Sequence, residues 1–110
     1  MIKDTKPIFR FTNHFRQRFY ERIFKEEWKG MSFRDKEIKQ AFLASKELLG
    51  WQNDTNMVEY FREKYNSTKF RIFTYKSYVF VAKRDTNIAH LYYLMTCFEP
   101  SSTFYTTKIK

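Results

Sequence analysis

Residues 69–98 read KFRIFTYKSYVFVAKRDTNIAHLYYLMTCF, and this stretch decides the fold. Its first seven residues are β-branched and aromatic, a composition that suits a pleated, half-buried strand. Lys76 and Ser77 then offer a turn into YVFVA at 78–82, a nearly continuous apolar run typical of a buried strand. KRDTN at 83–87 has the length of a hairpin turn. Residues 88–98 predict a long third strand. Strict alternation would put Ile88, His90, Tyr92, Leu94, Thr96 and Phe98 on one face, and Ala89, Leu91, Tyr93, Met95 and Cys97 on the other. Pro100 and SSTFYTTKIK follow as an irregular tail, with Phe104 or Tyr105 expected to tuck down.

Towards the N-terminus the pattern changes. Residues 57–61 fit a strand or a helical turn equally, and WQNDTN at 51–56 reads as a loop. Ser32 with Asp35 has the Ser-x-x-acid spacing of a capping box and predicts the start of a helix. Its buried face would be Ile38, Ala41, Phe42 and Ser45, and Gly50 would cap its end. Residues 13–28 contain no Gly or Pro, and Thr12 or Asn13 supplies a capping oxygen. Phe15, Phe19 and Ile23 form an apolar stripe on the resulting helix, widened by Tyr20 and Phe24, and Gly30 offers a stop. A short strand precedes it at Ile8–Phe11. Helices first and strands afterwards predict one α+β domain over 1–110. Its two N-terminal helices would pack on one face of a three- to four-stranded antiparallel sheet.

Composition narrows the class. The chain has 110 residues with 21 basic and 12 acidic side chains, a formal charge of +9. The apolar content of 43% is too high for disorder. A single Cys cannot form an internal disulfide, and one Cys with two His cannot close a Cys/His zinc site. No apolar run reaches the roughly 18 residues of a membrane span, and MIKDTKPIFR lacks the apolar centre of a signal peptide. A reducing compartment, the cytoplasm, is expected. The charge is uneven: residues 1–30 carry net +4, residues 31–66 net zero and residues 67–110 net +5. If the two ends meet in the fold they make one basic surface suited to an anionic partner; a solvated basic surface that mainly aids solubility is the competing reading.

FTNHFRQRFYERI at 11–23 is the stretch that suggests chemistry. His14, Arg18 and Arg22 recur at i, i+4 and i+8, and with Lys25 they occupy a strip about 80° wide on a helix. Like charges at this spacing weaken an isolated helix, which a bound phosphate would offset. The planar guanidinium grips two phosphate oxygens, and an imidazole moves protons near pH 7. A histidine beside two arginines is the minimal equipment for RNA cleavage without a metal: a base for the 2′-OH and cations for the charged phosphorane. An ordinary solvated face, with Glu21, Glu26 and Glu27 pairing the arginines, is the competing reading. Arg71, Lys83 and Arg84, near strand ends, are candidates for tracking a phosphate backbone. Thr96 joins them if its strand face meets the first helix. His90 and the strand tyrosines read as sheet residues, and Cys97 as a small buried hydrophobe. No phosphate-binding glycine loop, paired carboxylates or metal signature is present, and no cofactor is expected.

The pattern Thr12-x-His14-x-x-x-Arg18-x-x-x-Arg22 resembles the opening of a family of small bacterial and phage domains with a T-x-H-A-x-x-R-x-x-x-R helix. That family is related to the metal-independent ribonuclease superfamily of barnase, EndoU, colicin and RelE-like toxins. Residues 32–38, SFRDKEI, are similar to the S-x-x-E-I pattern that follows in the family, and LMTCF at 94–98 resembles its closing I-x-T-V strand. The chain departs from the pattern at Phe15, where the family has alanine, in its long middle loop, and in lacking glycines before the hairpin. The resemblance implies a ribonuclease-like fold with His14, Arg18 and Arg22 at the site. The expected function is an RNA-binding, metal-independent endoribonuclease of toxin or phage type. The expected partner is RNA, with an antitoxin or a host protein of acidic surface as a second partner and no membrane. The alternative is a non-catalytic phage or mobile-element protein that binds nucleic acid, or inhibits a host protein, through its basic surface.

Overall fold

The computed structural model describes residues 6–65 and 69–100. Five strands and three α-helices follow in the order β1 (Ile8–Phe11), α1 (Asn13–Phe19), α2 (Asp35–Ala44), β2 (Lys46–Glu47), α3 (Thr55–Tyr65), β3 (Phe70–Tyr75), β4 (Tyr78–Arg84) and β5 (Leu91–Phe98). The class is α+β. The sheet order is β1-β5-β4-β3-β2. β2 to β5 are antiparallel neighbours, but β1 pairs parallel to β5, with Ile8 opposite Leu91 and Phe11 opposite Leu94. The sheet is therefore mixed and five-stranded, wider than the antiparallel three or four expected.

Both faces of the sheet are covered. On one face Phe15, Phe19, Ile38 and Ala41 from the first two helices pack on Phe73, Phe80, Ala82, Leu94 and Cys97. On the other, Trp51, Met57 and Phe61 pack on Phe70, Ile72, Val79 and Val81. α3 is thus a third layer, built from a segment that reads as loop at 51–56 and as strand or helical turn at 57–61. Asp54 starts it by accepting from the Met57 amide at 3.3 Å, the geometry of an N-cap. Met57 and Phe61, four residues apart, then point into the sheet and are fully buried. Phe80 anchors the first layer: its ring meets Phe15 edge-on at 5.4 Å and lies 5.9 Å from Phe19. Its complete burial stabilises the fold by about 2–3 kcal/mol.

Several boundaries differ from expectation for identifiable reasons. The first helix leaves α geometry after Phe19, winds as a π-turn over Tyr20–Phe24, and ends at Lys25 in the left-handed region (φ 59°) rather than at Gly30. The hydroxyl of Tyr20 accepts from the amides of Phe33 and Arg34 and bonds Ser32 Oγ at 3.2 Å, tying down the following connection. Ser32 serves that tie, so α2 begins only at Asp35. α2 ends at Ala44 because Ser45 turns extended and residues 46–47 join β3. Gly50 (φ 76°) instead precedes a 3-10 turn at Trp51–Asn53. Residues 88–90 are not strand: Asp85 Oδ2 accepts from the amides of Asn87 and Ile88, and the resulting turn delays β5 to Leu91. The packing expected of Phe104 or Tyr105 lies outside the described residues. Among the described residues no helix is long and apolar enough to cross a membrane.

Candidate nucleic-acid interface

Thr12 fixes the start of the basic strip. Its hydroxyl accepts from the Phe15 amide at 3.1 Å, as an N-cap does, and donates to the Leu94 carbonyl at 2.8 Å. The Thr12 amide reaches the same carbonyl at 3.2 Å. The helix is thereby bolted to β5 at the point where β1 ends. Phe15 and Phe19 turn inwards, and His14 in the first turn stays exposed.

Further along, the π-turn sets Arg22. Its guanidinium Nη1 donates to the Cys97 carbonyl at 2.6 Å, and the Tyr78 hydroxyl donates to the Arg22 carbonyl at 2.7 Å. Wide i→i+5 turns inside helices occur frequently at functional sites. Arg18 pairs with Glu21 at 3.0 Å, each side chain about one-third exposed. Such an exposed pair contributes at most about 1 kcal/mol, so a phosphate can displace it at small cost.

A fourth cation comes from α3. Lys64, in the last turn of α3, donates to the Tyr60 hydroxyl at 3.1 Å and sits over the rings of Tyr60 and Tyr65. Its charge acts on His14. The His14 imidazole titrates below its ordinary 6.5, first through partial loss of water, then through the charges of Arg18, Lys64 and Arg22, with Glu21 opposing. At neutral pH the ring is therefore an uncharged base among three cations drawn from two layers. The only sequence signal for Lys64 was its i, i+4 spacing from Tyr60 on a helix that was itself missed.

Other expected residues are placed elsewhere. Lys25, exposed at the end of the π-turn, lines a small hollow with Arg22, Tyr78, Phe98 and Glu99. Arg71 is engaged: its Nε donates to Glu47 Oε2 at 2.8 Å, its Nη2 pairs with Glu47 Oε1, and Phe9 and Tyr92 rings lie 5.3 Å from it. Glu47 raises its pKa further. Lys83 and Arg84 end β4, whose other end is Tyr78 beside Arg22. Six residues of strand put them about 20 Å from that end. Thr96 is buried and does not face the first helix. A bulge opposite Val81 and Ala82 takes up Met95, so Thr96 pairs with Val81 on the α3 side while Leu94 and Cys97 both face α1. That one-residue insertion reverses the alternation expected of the strand. His90 lies in the turn before β5, where its carbonyl accepts from the Ile8 amide at 2.8 Å. Cys97 is buried, and burial pushes its thiol pKa up to about 12. Compared with protein-family models, curated proteins and solved structures, the chain matches none.

Proposed function

We propose that the protein binds RNA across the His14, Arg18, Arg22 and Lys64 cluster and cleaves it without a metal. The observation that supports this reading is that the charges of Arg18, Lys64 and Arg22 all act on His14 and, with its partial loss of water, lower its pKa below the ordinary 6.5. A neutral His14 takes the proton of a 2′-OH, and the alkoxide forms a bond to the adjacent phosphorus. Arg18 and Lys64 offset the charge that builds on the phosphorane oxygens. The bond to the 5′-oxygen breaks, and that oxygen leaves with the proton returned from His14. The products are a 2′,3′-cyclic phosphate and a 5′-hydroxyl. Purified protein should degrade RNA in EDTA, and His14→Ala should slow it by about 10²–10⁴-fold. Undiminished cleavage by that variant excludes the assignment.

A second reading has its own support. Arg22 is already bonded to the Cys97 carbonyl and Arg18 to Glu21, an arrangement that suits docking more than transition-state stabilisation. The protein would then bind nucleic acid, or the acidic surface of a host protein, without cutting. Salt-sensitive RNA binding with intact RNA after prolonged incubation selects this reading.

A further inference from the structure

We infer that the hollow between the π-turn and the end of β5 is a subsite for one unpaired nucleotide, so that the RNA recognised is single-stranded or looped rather than duplex. The inference rests on the proposed RNA reading and specifies its substrate. The hollow measures about 340 Å³ and is lined by Arg22, Lys25, Tyr78, Phe98 and Glu99. That volume lies at the small end of ligand pockets, which run from about 300 to 1,000 Å³. Two cations and one carboxylate leave it one net positive charge, the complement of a single phosphodiester.

Its parts are held in place. Arg22 uses one donor on the Cys97 carbonyl, and a guanidinium has five, so the remaining edge can hold a phosphate. Tyr78 is fixed by its bond to the Arg22 carbonyl. Lys25 takes the left-handed conformation at φ 59°, which sets where its side chain leaves the backbone. The rings of Tyr78 and Phe98 are half-buried, so each keeps some surface exposed. The Phe98 ring also lies 5.8 Å from Tyr60, whose hydroxyl accepts from Lys64, so a further cation stands next to the aromatic wall. Aromatic rings beside cations bind unpaired bases by stacking, whereas a duplex keeps its bases stacked on one another and presents only backbone and grooves.

The test uses fluorescence anisotropy with two uncleavable probes, a 2′-O-methyl oligoadenylate and a blunt 2′-O-methyl duplex. The wild-type protein should bind the single strand about tenfold or more tightly than the duplex. Phe98→Leu, which keeps apolar volume but removes the ring, should lose about tenfold on the single strand only. Lys25→Ala, at an exposed position, should reduce the salt slope of single-strand binding by about 0.7, the value for one lost phosphate contact. Equal affinity for both probes overturns the subsite, as does an unchanged salt slope in Lys25→Ala. Arg18→Ala, outside the hollow, separates the two levels. Wild-type binding that ignores Arg18→Ala overturns the cluster reading and the subsite with it. Binding that responds to Arg18→Ala but not to Phe98→Leu or Lys25→Ala overturns the subsite alone.

Discussion

Replacing Thr12 with alanine removes two bonds made by one oxygen. The first is the N-cap to the Phe15 amide, whose loss costs about 1 kcal/mol. The second is the donation to the Leu94 carbonyl, part-buried at 2.8 Å, worth about 1 kcal/mol. Together they amount to about 2 kcal/mol, a drop in Tm of about 10 °C for a domain of this size. The measurement is a urea titration followed by far-ultraviolet circular dichroism, with a thermal scan alongside. Thr12→Ser keeps the oxygen and should lie within about 0.5 kcal/mol of wild type, while Thr12→Val keeps the shape and should resemble alanine. A loss below about 0.5 kcal/mol in Thr12→Ala would refute the reasoning. It would mean that water replaces both bonds and that Thr12 does not bolt the helix to the sheet. An equal loss in Thr12→Ser would shift the cause from the oxygen to the methyl group.

Two further outcomes follow from the same geometry. Because the folded-state pKa of His14 lies below 6.5, the unfolded chain takes the proton more readily. His14 therefore costs no stability above about pH 6.5 and destabilises as the pH falls through the window beneath it. Cleavage should share that direction, with a plateau at neutral pH and an acid limb whose midpoint is below 6.5; a midpoint above 6.5 counts against His14 as the base. Cys97, buried and with its thiol pushed up to about 12, should resist iodoacetamide in the folded protein and react fully in guanidinium; rapid labelling of the native state would contradict its burial.

Much of the architecture was legible because local signals agreed with packing. The β-branched and aromatic composition at 69–75 and the apolar run at 78–82 became β3 and β4, and the Phe15/Phe19 stripe entered the core as spaced. The same run held a signal left unused. YVFVA is apolar at every position, so both faces of β4 had to be covered, and a second covering layer had to come from somewhere. Residues 51–65 supplied it, disguised by polar residues around the Asp54 cap. The bulge at Met95 was not legible, since nothing in LYYLMTCF marks the inserted residue, and it moved Thr96 away from the site. For the candidate site, spacing singled out His14, Arg18 and Arg22, of which the first two lie on α1 and Arg22 in the π-turn that follows it. It could not find Lys64, which comes from a separate helix, α3, packed on the other face of the sheet. Nor could it show that Arg71 is already held by Glu47, a pairing across 24 residues created by β2 joining β3.

The pairing of the first strand with the last has a consequence for synthesis on the ribosome. Thr12 and the Leu94 carbonyl it binds are 82 positions apart, and Phe15 and Phe19 face Phe80, Leu94 and Cys97. At about 5–20 residues per second, the apolar side of α1 waits roughly 4–16 s before its partners are made. During that interval the nascent chain exposes phenylalanines that invite chaperones, and the Arg22 guanidinium lacks the Cys97 carbonyl that holds it. The proposed cluster is therefore complete only when nearly all of the domain has left the exit tunnel.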